Sequence, residues 1–157
     1  MSAISGLDIA LWDLKGKKYG VPVWQLLGGR VRDKIQVYGW IGGDRPTDIL
    51  EQAKKRKAQG FTTVKMNGSE SLKWLASPAD LDATVERLKE VKSIGMDAGL
   101  DFHGRVHKPM AKQLARKLEP HSPLFIEEPL LPGQIEELKI LYAQTTIPIA
   151  VRTGELT

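Results

Sequence analysis

AGLDFHGRVHKPMAKQLARKLEPHSPLFIEE, residues 98–128, is the stretch on which the fold turns. Two short apolar runs, at 98–102 and 124–126, read as strands, and the residues at 109–118 between them read as a helix. Two strands joined through a helix lie parallel, because a parallel pair needs a crossover connection. The same alternation extends outward in both directions. A strand is expected over 34–41, a helix over 47–59, a strand over 62–66 and a helix over 79–93. Beyond the quoted stretch come a helix over 135–144 and a strand over 147–151. Five strands separated by helices imply successive right-handed crossovers and a parallel sheet. The apolar runs Leu124-Phe125-Ile126 and Ile147-Pro148-Ile149-Ala150-Val151 suit strands covered on both faces.

An open doubly wound sheet and a (β/α)₈ barrel both accept this pattern, and polar residues help to separate them. Asn67, Asp101, Glu127 and, slightly past the fifth strand, Glu155 stand where strands end. Convergence of strand-end side chains at the C-terminal face is how barrels build sites. An open sheet more often carries a glycine-rich loop after its first strand, and Trp40-Ile41-Gly42-Gly43-Asp44 lacks the Gly-x-Gly-x-x-Gly spacing. The expected fold class is therefore α/β, an incomplete (β/α)₈ barrel of five βα units, since a whole barrel takes about 200 residues or more. Ahead of it, Ile4, Leu7, Leu11 and Leu14 recur at three- and four-residue steps as an amphipathic helix over 2–18, stopped by Gly20 and Pro22. Gly28-Gly29 then turns the chain toward the first strand, and the boundary between the two parts is expected at 33/34.

Composition bounds the classes of function. A chain of 157 residues, 41% hydrophobic and 27% charged, can bury a sizeable core. It has no cysteine, so thiolate metal sites, thiol nucleophiles and disulfides are excluded, and a reducing compartment fits. No apolar run approaches the roughly 20 residues of a membrane span, and Met1-Ser2-Ala3-Ile4-Ser5 lacks a secretion pattern, so a cytoplasmic location without membrane contact is expected. The net charge of +4 comes with basic residues such as Lys54, Lys55, Arg56 and Lys57 spread on helical stretches. They read as a solvated face, and no nucleic-acid partner is expected. Trp12, Trp24, Trp40 and Trp74 are assigned to packing.

Asp101 precedes Glu127 by 26 residues and Glu155 follows it by 28, each about one strand-helix unit. Three carboxylates facing one cavity would repel unless a divalent cation held them, and hard oxygen ligands favour Mg²⁺ or Mn²⁺ over zinc. Spacing alone equally allows three unrelated acids, each capping a helix or paired with a base.

Three local words add to this. Lys65-Met66-Asn67, Asp101-Phe102-His103-Gly104-Arg105-Val106-His107-Lys108-Pro109 and Phe125-Ile126-Glu127-Glu128-Pro129 resemble consecutive strand-end motifs of the mandelate racemase branch of the enolase superfamily. Within it the chain looks most like the galactonate-type sugar-acid dehydratases. Ser5-Gly6-Leu7-Asp8-Ile9-Ala10-Leu11-Trp12-Asp13-Leu14 and Leu26-Leu27-Gly28-Gly29 are similar to the segment leading into that barrel, so residues 1–33 would be the end of a capping domain and its linker. The resemblance implies Mg²⁺ as cofactor with Asp101, Glu127 and Glu155 as ligands, and a sugar-acid substrate. The metal would stabilise charge developing as the proton beside the substrate carboxylate is removed.

His103, two residues beyond Asp101, would on an extended strand share its face. The resemblance makes it the general acid that protonates the departing β-hydroxyl, work suited to an imidazole. His107 and His121 receive no role. Asn67 stands where racemases carry a second lysine that acts as base. An amide cannot do that, so Asn67 and Lys65 are expected to bind substrate hydroxyl or carboxylate, or else to be an ordinary loop pair.

Two departures from the pattern matter. Val151 and Arg152 intervene between the Ile-Pro-Ile-Ala core and Thr153-Gly154-Glu155, preserving strand parity but carrying Glu155 outward by up to about 7 Å. The His base and its partner acid belong to later strands, so the chain is expected to be inactive alone. An open half barrel is expected to self-associate through its uncovered edges. The contrasting reading is a non-catalytic fragment or interaction module that keeps the motifs.

Overall fold

A computed structural model describes residues 2–42, 46–69 and 72–151. The chain divides after Gln36 into two units. The first holds helix α1 (Ser2–Tyr19) and the short α2 (Val23–Leu26). α1 forms where the periodicity places it, but Ile4, Leu7, Leu11 and Leu14 are all exposed, and so is Ile9 on its other side. Such a helix is apolar on more than one face rather than cleanly amphipathic. Gly16 is its buried residue, because a Cβ there would lie 2.8 Å from the Val21 carbonyl oxygen.

The second unit contains β1 (Gly39–Ile41), α3 (Pro46–Ala58), β2 (Thr63–Asn67), α4 (Pro78–Ser93), β3 (Asp97–Asp101) and α5 (Lys108–Leu118). After these come β4 (Phe125–Glu127), α6 (Ile135–Tyr142) and β5 (Ile149–Ala150). The sheet order is β1-β2-β3-β4-β5, parallel throughout. A doubly wound sheet reverses its order at a switch point. A barrel adds each strand beside the last, as this chain does. β1 is much shorter than the expected 34–41, since a strand persists only where it has a partner, and the ladder with β2 starts at Gly39.

One register row, Ile41, Met66, Leu100, Ile126 and Ile149, and a second, Gly39, Val64 and Ala98, face the helices. Ile41, Val64, Met66, Ala98, Leu100 and Ile126 are no more than 2% exposed. α4 answers with Leu81, Val85, Leu88 and Val91, one face at helical spacing, and α5 with Met110, Ala111, Leu114 and Leu118. The expected cover on both faces is not found among the described residues. Trp40 is 54% exposed and Leu124 and Val151 are exposed as well. Trp24 and Trp74 are also exposed, so neither is a core residue. Lys54, Lys55 and Lys57 do lie on the exposed side of α3, where Lys54 pairs with Glu51 at 2.9 Å.

α4 starts sharply. Ser77 accepts from the Asp80 N–H, the Asp80 carboxylate accepts from the Ser77 N–H, and Pro78 occupies the first turn. Ser77→Ala is expected to cost about 1 kcal/mol of stability. Urea unfolding followed by circular dichroism checks it, and a change below about 0.3 kcal/mol would show that the cap is immaterial.

Candidate active site

Each of β2, β3 and β4 ends on a polar residue, and the ends are level. Asn67 pairs with Asp101, Asp101 with Glu127, and Glu127 with Ala150. Level residues of neighbouring strands share a face, and alternation puts Lys65 on the face of Asn67. It is the face away from the helices. Lys65 pairs with Gly99 in the register, and Gly99 with Phe125. The Phe125 ring lies over Gly99, where a Cβ would meet it at 2.2 Å.

From that inner row Lys65 reaches the carboxylates. Its Nζ donates to Asp101 Oδ2 and to Glu127 Oε2, both at 2.8 Å. The side chains are 16%, 7% and 12% exposed for Lys65, Asp101 and Glu127. Burial works against the ammonium, but its hydrogen bonds to both carboxylates and their negative charge outweigh it, holding the Lys65 pKa above the ordinary lysine value. The sequence assigns Lys65 to substrate binding; in the structure its ammonium links two expected metal ligands.

His103 is near Asp101 by a different route from the one expected. β3 ends at Asp101, and His103 sits in a turn with φ 52°, followed by Gly104 at φ 62°. Strand alternation therefore does not apply to it. Asp101 Oδ1 accepts the His103 backbone N–H at 2.9 Å, an Asx-type turn that folds the chain back. The imidazole Nδ1 then lies 3.4 Å from Asp101 Oδ1, with the side chain 37% exposed. The Gly104 N–H donates to the Glu128 carbonyl at 3.0 Å, tying this turn to the end of β4. Glu128 itself is buried at φ 47°.

Lys65, Asn67, Asp101, His103 and Glu127 are thus brought to one end of the sheet. Glu155 lies outside the described residues. The β5 residue level with Glu127 is Ala150, so the fifth strand places no carboxylate in this row. Among the described residues, no group of three or more His, Asp or Glu side chains is gathered to hold a metal. Two carboxylates do converge on one cation, the Lys65 ammonium, through hard oxygen donors. That donor set fits a magnesium-type ion.

One pair was not foreseen. Trp74, on the β2–α4 connection, packs against His107 with ring centroids 4.5 Å apart. His107 Nδ1 is buried and has no hydrogen-bond partner among the described residues. Neither residue's spacing signals the contact, which depends on two loops meeting.

Comparison with known proteins agrees with this fold. The family described as enolase C-terminal domain-like matches residues 48–155, and the mandelate racemase/muconate lactonizing enzyme N-terminal domain matches residues 1–28. The chain is 53% identical over 153 residues to D-galactonate dehydratase of Variovorax paradoxus (strain S110). It is 52% identical over 153 residues to D-galactonate dehydratase of Xanthomonas euvesicatoria pv. vesicatoria (strain 85-10). Each match covers 96% of this chain and 40% of the relative, so the chain spans well under half of their length. The crystal structure of a member of the enolase superfamily from Salmonella Typhimurium superposes with a TM-score of 0.82 at 26% identity. That match covers 93% of this chain and 44% of the other. Among the described residues no helix is long and apolar enough to cross a membrane.

Proposed function

Because the chain belongs to the enolase C-terminal domain-like family, preceded by a mandelate racemase/muconate lactonizing enzyme N-terminal segment, we propose that it carries the metal-ligand half of a galactonate-type sugar-acid dehydratase. The observation that supports this reading best is the convergence of Asp101 and Glu127 on one cation, 2.8 Å from an oxygen of each. In this proposal Asp101 and Glu127 hold Mg²⁺, with Glu155 as third ligand. Bound there, Mg²⁺ would supply Lewis-acid stabilisation of the negative charge that builds on the substrate carboxylate.

The chain's own residues account for the elimination step. Loss of the α-proton leaves an electron pair that expels the β-hydroxyl, and His103 donates the proton that lets it depart as water. The resulting enol tautomerises to a 2-keto-3-deoxy acid. Asn67, level with Asp101, and Lys65 bind substrate oxygens. The α-proton needs a base, which in this proposal is carried by later strands. Turnover is expected from a longer chain that includes them and not from these 157 residues alone.

Mg²⁺ titration by calorimetry tests the metal site. Asp101→Asn removes one of two carboxylates and is expected to weaken binding at least about 100-fold, since even losing a residue behind a ligand costs about 10- to 100-fold. Equal heats from the wild-type chain and the variant would sink the assignment.

A further inference from the structure

Three of the four carboxylate oxygens of Asp101 and Glu127 are already engaged. Asp101 Oδ1 is held by the His103 N–H at 2.9 Å, while Asp101 Oδ2 and Glu127 Oε2 share the Lys65 ammonium. Two carboxylates this buried, drawn together without a cation, would repel strongly. Lys65 is placed to prevent that, since it stands two residues behind the row and its long stem brings the ammonium forward. A charged group on a flexible four-carbon stem can also move away, because its head is compact and its torsions are free.

We propose that Lys65 is a built-in counter-ion: its ammonium holds Asp101 and Glu127 together in the metal-free chain, and an entering divalent cation must displace it from the same two oxygens. This rests on the metal-site reading above and adds to it a cost of entry. The site is kept assembled before the metal arrives, and its affinity is lowered by the ion that assembles it. Lys65 acts here as a positioning residue, distinct from any contact it makes with substrate.

Two consequences have opposite signs, which sets a counter-ion apart from a residue that merely packs. Removing the charge should tighten Mg²⁺ binding, because a unit charge about 5 Å from a doubly charged ion opposes it by roughly tenfold even at the dielectric of water, and by more in a partly buried site. Removing it should also destabilise the metal-free chain, since the two carboxylates lose their shared partner. Mg²⁺ should then restore more stability to the variant than to the wild type.

The experiment uses the 157-residue chain. Wild type, Lys65→Met, Lys65→Gln and Lys65→Arg are titrated with Mg²⁺ by calorimetry, and melted in EDTA and in Mg²⁺. Circular dichroism confirms that each is folded, and Lys65→Gln serves if Lys65→Met is not. The neutral variants are expected to bind Mg²⁺ at least about tenfold more tightly than wild type. They should melt lower in EDTA and gain more from Mg²⁺, while Lys65→Arg, which keeps the charge, binds no more tightly than wild type. Wild-type binding that is unchanged or weakened in the neutral variants would overturn the counter-ion while leaving the metal site standing. Absence of binding in every protein would overturn both. Binding by the neutral variants alone would support both in the strongest form.

Discussion

Leu100→Ala is expected to lower the unfolding free energy of the second unit by about 3 kcal/mol, within the 2 to 5 kcal/mol range of buried leucine truncations. Leu100 is fully buried, and its register neighbours Met66 and Ile126 are at most 2% exposed. Its side chain fills the layer between the centre of the sheet and the helices. Truncation removes the transfer free energy of the lost carbons and leaves a cavity that strands fixed by hydrogen bonds on both edges close poorly. Leu124→Ala provides the contrast. Leu124 is 46% exposed, and its truncation is expected to cost less than about 1 kcal/mol. Urea denaturation midpoints of the two variants measure the difference. Equal losses would mean that the helix-covered face is not the core. Because Leu100 immediately precedes Asp101, its truncation should also loosen the carboxylate pair, read as weaker Mg²⁺ binding than in Leu124→Ala.

The row that carries the site was legible because parallel strands run from an apolar core to a polar tip. Asp101 and Glu127 each close a short apolar run, Asn67 closes Thr63-Val64-Lys65-Met66, and the distance between repeats is about one strand-helix unit. What sequence could not supply was register. The expected strand over 62–66 contains Lys65, but its reach to two carboxylates depends on Lys65 standing level with Gly99, one row behind Asp101 and Glu127. His103 was placed beside Asp101 by an argument from strand alternation that the turn overrides. The signal was present: an Asp two residues before and a Gly directly after are turn chemistry. The exposed Trp40 and Trp74 show a different limit. Large aromatic side chains are ordinarily core, and only the three-dimensional layers reveal which face of a strand the helices leave uncovered. Residues 34–38 have strand composition but lie before the ladder, so propensity gave way to the absence of a partner.

His103→Asn, in a chain extended with the remaining strands of the barrel, is expected to lower kcat for galactonate dehydration by about 10²- to 10⁴-fold. The loss should fall on kcat rather than KM. Protonation of the departing hydroxyl matters only in the transition state, and an interaction made only there lowers kcat and kcat/KM together. Asn keeps the backbone N–H that donates to Asp101 Oδ1 at 2.9 Å, and it tolerates the left-handed conformation at φ 52° better than most residues. The turn and the carboxylate should therefore remain in place, and Mg²⁺ affinity should stay within about threefold of wild type, as expected when no direct ligand or its support is removed. His103→Ala is a less clean test, because alanine lacks the side-chain carbonyl that eases this backbone conformation. A substrate whose β-substituent leaves without protonation separates the two possible losses. With β-fluoride in place of hydroxyl, the His103→Asn enzyme should recover most of its rate, because the proton it cannot give is no longer needed. Failure of that rescue, with metal binding intact, would remove His103 from the role of general acid and reduce it to a residue that shapes the turn.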